Sequence, residues 1–334
     1  MRSNPISSSI DFDKDGIQHG FLTLPYSRND SAYGSVMIPI SQFKRGDGPT
    51  ALITGANHGD EYEGPIALFN FVGRTDISDI HGRIIVIPAI NYPAFTVGSR
   101  VSPIDNVNLN RTFPGRPNGT VTEVIADYLI QTLVPLADFV LDIHSGGKTL
   151  DFLPFAGCHR LEDKELERRT EAATDAFQAP YKVMMFDIDA ENMFDTQVEN
   201  MGKVFVTTEL GGGGTTTPQT VGIAKRGVDN FLIHCGIMDG VVSGKKEGSI
   251  ALDMPDPSCY IFCQHPGLIE PCVSLGDTVV VGDLMAKIHS TDRTSSVAPI
   301  EYKATHSGIV IARQVPSIAK MGDCLYVIGE IVEV

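Results

Sequence analysis

Four short apolar runs constrain this chain more than anything else in it. TALITG (50–55), RIIVIPAI (83–90), DFVLDIHS (138–145) and KVFVTTEL (203–210) are rich in β-branched residues, and two of them carry an ionisable residue next to their last position, His144 and Glu209. The run at 83–90 is apolar without alternation, the pattern of a strand covered on both faces. SVMIPI (35–40) adds a strand ahead of them. Between the strands, TEVIADYLIQTLV (122–134) places Val124, Ile125, Tyr128, Leu129 and Leu133 at helical spacing. LEDKELERRTEAATDAF (161–177) reads as a charged surface helix, and VGIAKRGVDNFLIHCGIM (221–238) as a further helix. Strands alternating with helices predict an α/β layer architecture on a parallel or mixed sheet.

The pattern changes near residues 240–256, where GVVSGKKEGSIALDMPDP is glycine-rich, charged and ended by prolines. That shift places a boundary between an α/β domain at 1–243, which includes an N-terminal β segment, and a small all-β domain at 244–334. The second part carries a faint internal repeat: GDLMAKIH (282–289) matches GDCLYVIG (322–329), and PGLIEPCV (266–273) loosely matches SGIVIARQV (307–315). Two similar halves with Gly-Asp turns predict a small barrel or sandwich. The tail resembles the biotinyl/lipoyl half-barrel, but Lys303 lies too close to the following half to be a carrier lysine on a tight hairpin.

Length and charge exclude several classes. A chain of 334 residues can bury a sizeable sheet and still leave a second domain. Its net charge of −15 argues against nucleic-acid binding, which needs clustered Lys and Arg. No apolar stretch approaches the ~20 residues of a membrane helix, and the start MRSNPISSSIDFDKDG has no apolar signal region, so a cytoplasmic protein is expected. The six cysteines form no CxxC pair and are expected as reduced thiols. Cys259 and Cys263 have no second pair near them to complete a metal site.

The strand ends carry the chemistry. GANHGDEYEG (55–64) follows the first strand and gathers His58, Asp60, Glu61 and Glu63. His58 and Glu61 are spaced i, i+3, which on a helical first turn puts both on one face; they are either a surface pair or two metal donors. His144 ends another apolar strand. Ligands of open α/β sheets bind at the carboxyl ends of strands, so two histidines and a carboxylate there match the three-ligand set of a catalytic zinc site. Glu209 ends a third strand ahead of four glycines and is placed to act as a general base. In GSRVSPIDNVNLNRTFPGRP (98–117), Arg111 and Asn110 suit a carboxylate clamp, and Arg100 suits oxyanion stabilisation. Arg116 receives no role.

HxxE at 58–61, NLNR at 108–111, DIH at 142–144 and TEL at 207–210 resemble, in the same order, the succinylglutamate desuccinylase/aspartoacylase family of the zinc carboxypeptidase-like group. Asn108 stands where aspartoacylases often carry an acidic residue. The resemblance implies a three-layer αβα domain with a mixed central sheet, followed by the small β domain. It implies one Zn2+ per subunit on His58, Glu61 and His144, Glu209 and Arg100 as catalytic residues, and Asn110 and Arg111 as substrate-binding residues. The longer stretches around these motifs resemble family members that remove an acetyl group from Nα-acetyl-L-2,4-diaminobutyrate. A homo-oligomeric amidohydrolase acting on a small N-acetyl amino acid is therefore expected; an aspartoacylase, a carboxypeptidase and a metal-free carboxylate-binding protein are the rivals. Asp142, Glu63 and Asp60 are the candidates for holding the substrate's γ-amine.

Overall fold

The computed structural model describes residues 3–244, 248–292, 294 and 298–332; residues 245–247 of the glycine-rich boundary segment lie outside the described residues. At its centre four strands run parallel, in the order Gly82–Ile87, Thr50–Gly55, Phe139–His144 and Val204–Glu209. Successive side chains on a strand point to opposite faces, and here both faces are covered. Leu52, Ile85, Ile87 and Val140 enter one core with Val124, Ile125 and Leu129. Ile53, Ile84, Val86 and Leu141 enter the other with Leu68, Phe71, Phe177 and Phe231 from three helices. Each fully buried aliphatic side chain stabilises by roughly 1.5–3 kcal/mol, so these strands stay apolar until near their carboxyl ends. The result is the three-layer αβα arrangement expected.

Antiparallel strands flank the parallel centre, so the sheet is mixed. Gly16–Pro25 and Ser35–Arg45 extend it on one side. On the other, Phe155–His159 lies antiparallel to Val204–Glu209, and Tyr181–Met185 then pairs parallel with Phe155–His159. Helix Lys164–Phe177 starts three residues later than the sequence pattern predicts, because Asp163 caps it by accepting from the amides of Glu165 and Leu166. The 122–134 segment is not one regular helix: Val121–Tyr128 opens into a wider π-helical turn, Leu129–Leu133, before a last tight turn that contains Pro135.

The C-terminal region adds a separate four-stranded sheet of Ile300–Lys303, Leu284–His289, Gly267–Pro271 and Ile318–Ala319. The internal repeat corresponds to a repeated turn. Val280 donates its amide to Asp283 Oδ2 at 2.9 Å, and Lys320 donates to Asp323 Oδ2 at 2.8 Å. Gly282 and Gly322 hold φ of +96° and +95°, where a side chain is strained. Each turn launches a matched strand. Strand Ile250–Asp253 pairs parallel with Tyr181–Met185 and antiparallel with Cys324–Ile331, so the large sheet runs on into this region. Lys303 sits in a strand opposite Leu284 rather than on a hairpin tip. All six cysteines are free, and Cys259 and Cys263 belong to different cores.

Candidate active site

The three parallel strands Thr50–Gly55, Phe139–His144 and Val204–Glu209 release their chemistry at the same end of the sheet. His144 and Glu209 are the last residues of neighbouring strands and stand directly opposite each other. After Gly55 the chain turns sharply through Asn57 to Glu61 and only then enters helix Glu63–Arg74. His58 and Glu61 therefore meet across a turn, not on a helix face. Gly59 makes the turn possible: a Cβ there would fall 2.1 Å from the carbonyl carbon of Ala94.

Within this turn His58 Nδ1 lies 2.7 Å from Glu61 Oε1, and His144 Nδ1 lies 2.9 Å from Glu61 Oε2. The three candidate donor atoms all fall within 4.8 Å of one another, and all three residues are buried. The far nitrogen of each ring is anchored. Nε2–H of His58 donates to Asn108 Oδ1 at 3.2 Å, and Nε2–H of His144 donates to Asp142 Oδ2 at 2.9 Å. Asp142 is itself held by Thr54 Oγ1 and Asn57 Nδ2. These anchors turn both Nδ1 atoms inward, as the outer partners of metal-binding histidines do. Asn108 thus has a place: an amide oxygen does for His58 what a carboxylate does for His144.

The electrostatics follow from burying these groups together. Burial pushes the His58 imidazole down to about 4, against the pull of Glu61. Burial works against the His144 cation too, but Asp142 and Glu61 outweigh it and raise His144 well above its ordinary value. Burial would raise Glu61, yet the two imidazoles hold it far below the usual carboxylate range. Burial, reinforced by the charge of Glu61, pushes Glu209 well above its ordinary value.

All seven residues expected from the sequence line one cavity of about 340 Å³: His58, Glu61, His144, Glu209, Arg100, Asn110 and Arg111. A volume of this size suits a small ligand. Arg100 Nη1 is 3.8 Å from Glu61 Oε1. Asn110 Oδ1 accepts from Asn57 Nδ2 and from the amide of Phe194, which leaves its NH2 end for a ligand. Arg111 Nη1 donates to the Asn110 carbonyl at 2.8 Å, and its Nε lies 3.3 Å from Asp189 Oδ2. Arg116 is paired with Glu123 instead, away from the cavity.

Comparison with known proteins decides the family. Residues 47–235 match the succinylglutamate desuccinylase/aspartoacylase catalytic domain. This chain belongs to the succinylglutamate desuccinylase/aspartoacylase family. It is similar to N-alpha-acetyl-L-2,4-diaminobutyric acid deacetylase of Halomonas elongata, with 54% identity over 333 residues, covering 100% of this chain and 97% of that one. The product-bound ectoine utilization protein EutE (DoeB) from Ruegeria pomeroyi superposes with a TM-score of 0.96 at 54% identity, covering 99% of this chain and 100% of that chain. A succinylglutamate desuccinylase from Silicibacter sp. TM1040 gives 0.95 at 56% identity, with 99% and 100% covered.

In this family member three acidic residues of the cavity were not found from the sequence. Asp187, Asp189 and Asp195 line it, carried by FDIDAENMFD (186–195), which follows strand Tyr181–Met185 and runs into the first turn of helix Phe194–Asn200. The density of acids in that segment was the available signal, but without the strand before it nothing aimed them at the site. The three acids expected to meet a substrate amine lie elsewhere. Asp142 anchors His144, Asp60 accepts the Lys148 amide at 2.9 Å, and Glu63 accepts from Thr220 Oγ1 at 3.0 Å; none lines the cavity. The sequence reading also gave the β region no part in the site, yet Met254, Tyr260, Phe262, Ile311, Cys324 and Val327 supply part of the cavity's apolar lining, alongside Leu150, Phe152 and Phe155.

Proposed function

We propose that this family member hydrolyses Nα-acetyl-L-2,4-diaminobutyrate to acetate and L-2,4-diaminobutyrate, with one zinc ion per subunit on His58, Glu61 and His144. One observation carries the reading: two inward-turned imidazole nitrogens and a carboxylate converge beside Glu209 in a chain 54% identical, end to end, to a deacetylase of that name. Nitrogen and oxygen donors in this number fit zinc and leave coordination free for water or substrate. Bound there, zinc supplies Lewis acidity and makes hydroxide available near neutral pH.

The remaining work falls to the protein's own groups. Glu209, opposite His144 at the strand ends, takes the proton of the attacking water and returns it to the α-amine as the amide C–N bond breaks. Arg100 offers its guanidinium to the charge that develops on the acetyl oxygen. Asn110 presents its NH2, and Arg111 its fork, to the α-carboxylate. Arg111 exchanges Asp189 for the substrate; the aspartate is largely exposed, and exposed ion pairs are worth only about 0–1 kcal/mol. The apolar lining, shared by the β region and by Leu150, Phe152 and Phe155, keeps bulk water from the reacting bond.

Hydrolysis of N-succinyl-glutamate would bring two further carboxylates into a cavity already lined by Asp187, Asp189 and Asp195, which disfavours it. The cytoplasm and a homo-oligomeric form belong to this proposal. Six unpaired cysteines support the first, and among the described residues no helix is long and apolar enough to cross a membrane. The test is acetate release from Nα-acetyl-L-2,4-diaminobutyrate beside N-acetyl-aspartate and N-succinyl-glutamate, with zinc and with chelator. The expected result is turnover of the first alone, abolished by chelator and restored by zinc. Turnover that survives full chelation, or hydrolysis confined to the succinyl substrate, overturns the proposal.

A further inference from the structure

The proposed substrate brings three polar groups into the cavity: an acetamide, an α-carboxylate and a side-chain ammonium. Burying a cation without a partner is costly, so the third group needs an anion. The cavity carries five carboxylates. Glu61 lies between the two imidazoles, and Glu209 ends the neighbouring strand. Asp189 is 70% exposed and paired with Arg111. Asp187 and Asp195 remain, 12% and 4% exposed.

These two are held, not loose. Asp187 Oδ2 lies 2.9 Å from His159 Nε2, and His159 Nδ1 lies 3.0 Å from Glu199 Oε1. Donor atoms of His159, Asp187 and Asp195 fall within 4.8 Å of one another. A single imidazolium faces Asp187, Asp195 and Glu199, so negative charge is left over at the cavity wall. The β region steadies the same place, since the Tyr260 hydroxyl donates at 2.8 Å to the carbonyl of Phe186, the residue before Asp187.

We propose that Asp187, with Asp195 behind it, receives the substrate's side-chain ammonium and so selects N-acetylated diamino acids over their neutral analogues. The assignment rests on the reaction proposed above. An ammonium suits the place because its hydrogens can be shared among several carboxylate oxygens. A divalent metal here would find one imidazole nitrogen where the His58–Glu61–His144 group offers two.

The test compares kcat/KM of the zinc-loaded enzyme for Nα-acetyl-L-2,4-diaminobutyrate and for Nα-acetyl-L-2-aminobutyrate, in wild type and Asp187→Asn. Wild type should prefer the diamino substrate, and Asp187→Asn should lower kcat/KM for it by about 10–100-fold while leaving the neutral analogue within about twofold. A preference that persists in Asp187→Asn overturns the assignment. Acetate released from both substrates equally by wild type also overturns it, yet keeps the deacetylase. Acetate from neither removes the reaction itself and this assignment with it. Should Asp187→Asn be inactive on both, calorimetric binding of L-2,4-diaminobutyrate and L-2-aminobutyrate decides: selective loss of the first supports the assignment, and equal loss overturns it. A second metal equivalent in wild type that Asp187→Asn lacks would make the group a metal site and overturn the assignment.

Discussion

His58–Glu61–His144 and His159–Asp187–Asp195 each bring their donor atoms within 4.8 Å of one another, and the second borders the same cavity as the first through Asp187 and Asp195. Their stoichiometry differs. The first surrounds one carboxylate with two imidazoles, and each imidazole has its far nitrogen anchored by Asn108 or Asp142. The second surrounds one imidazole with carboxylates, and both of its ring nitrogens are engaged, by Asp187 and Glu199. A surplus of nitrogen donors fits a divalent ion with borderline-soft preferences, whereas a surplus of carboxylate fits a hydrogen-donating monovalent cation. One cavity can thus present a metal site at one wall and an ammonium site at the other.

The largest effect belongs to the residue that serves the first group without joining it. Glu209→Gln should retain zinc, measured by elemental analysis, yet lose at least ~100-fold in kcat. Turnover near the wild-type rate would place the base elsewhere. The next contrast sets the two groups against each other through their anchors. Asp142→Asn removes the charge behind His144 and should weaken zinc binding by about 10–100-fold, whereas Glu199→Gln, behind His159, should leave zinc affinity unchanged. Competition with a chromophoric chelator measures both. Equal weakening by both variants would erase the distinction drawn between the groups.

What the sequence disclosed follows the same division. His144 and Glu209 close apolar runs, and His58 follows a third by three residues; the two buried faces of those runs made the strands recognisable, so a common destination for the three could be read from pattern. The wall of Asp187 and Asp195 could not. It depends on strands Phe155–His159 and Tyr181–Met185, whose sequences FAGCH and YKVMM mix a glycine, a histidine and a lysine into short, partly exposed stretches. Helix Glu63–Arg74 was missed as well, because it opens on Gly64-Pro65; Gly64 is needed there, since a Cβ would lie 2.9 Å from the Ile143 carbonyl. Long-range packing of that kind leaves no local periodicity to read. The β region's part in the site is of the same sort: it depends on strand Ile250–Asp253 joining the sheet beside Tyr181–Met185 and on strand Gly308–Gln314 pairing with Leu150–Phe152.

Arg111 sharpens the contrast from the substrate's side. If it grips the α-carboxylate in ground state and transition state alike, Arg111→Ala should raise KM by about tenfold with kcat little changed. A fall in kcat at constant KM would instead give Arg111 a part in the chemical step.

The smallest expected effect is on stability, and it isolates the second group. Burial opposes charge on His159, but its bonds to Asp187 and Glu199 outweigh that and raise it well above the ordinary value of 6.5. A raised folded-state value means that the fold binds the proton more tightly than the unfolded chain does. The ion pair's contribution is then complete below 6.5 and is lost as pH climbs through the raised value. Asp195 acts in the same direction at lower pH: burial lifts it to about 6, so ionising it between 3.8 and about 6 costs the fold stability. His159 and Asp195 therefore each contribute a loss of stability as pH rises, and His159→Asn should lack the upper of these two contributions. Melting both proteins at each pH, zinc present throughout, cancels the shared metal terms. The gap between them should be about 1–3 °C below 6.5 and should narrow in alkaline buffer. A gap that widens with pH would mean that His159 is neutral in the fold and does not hold Asp187 by charge.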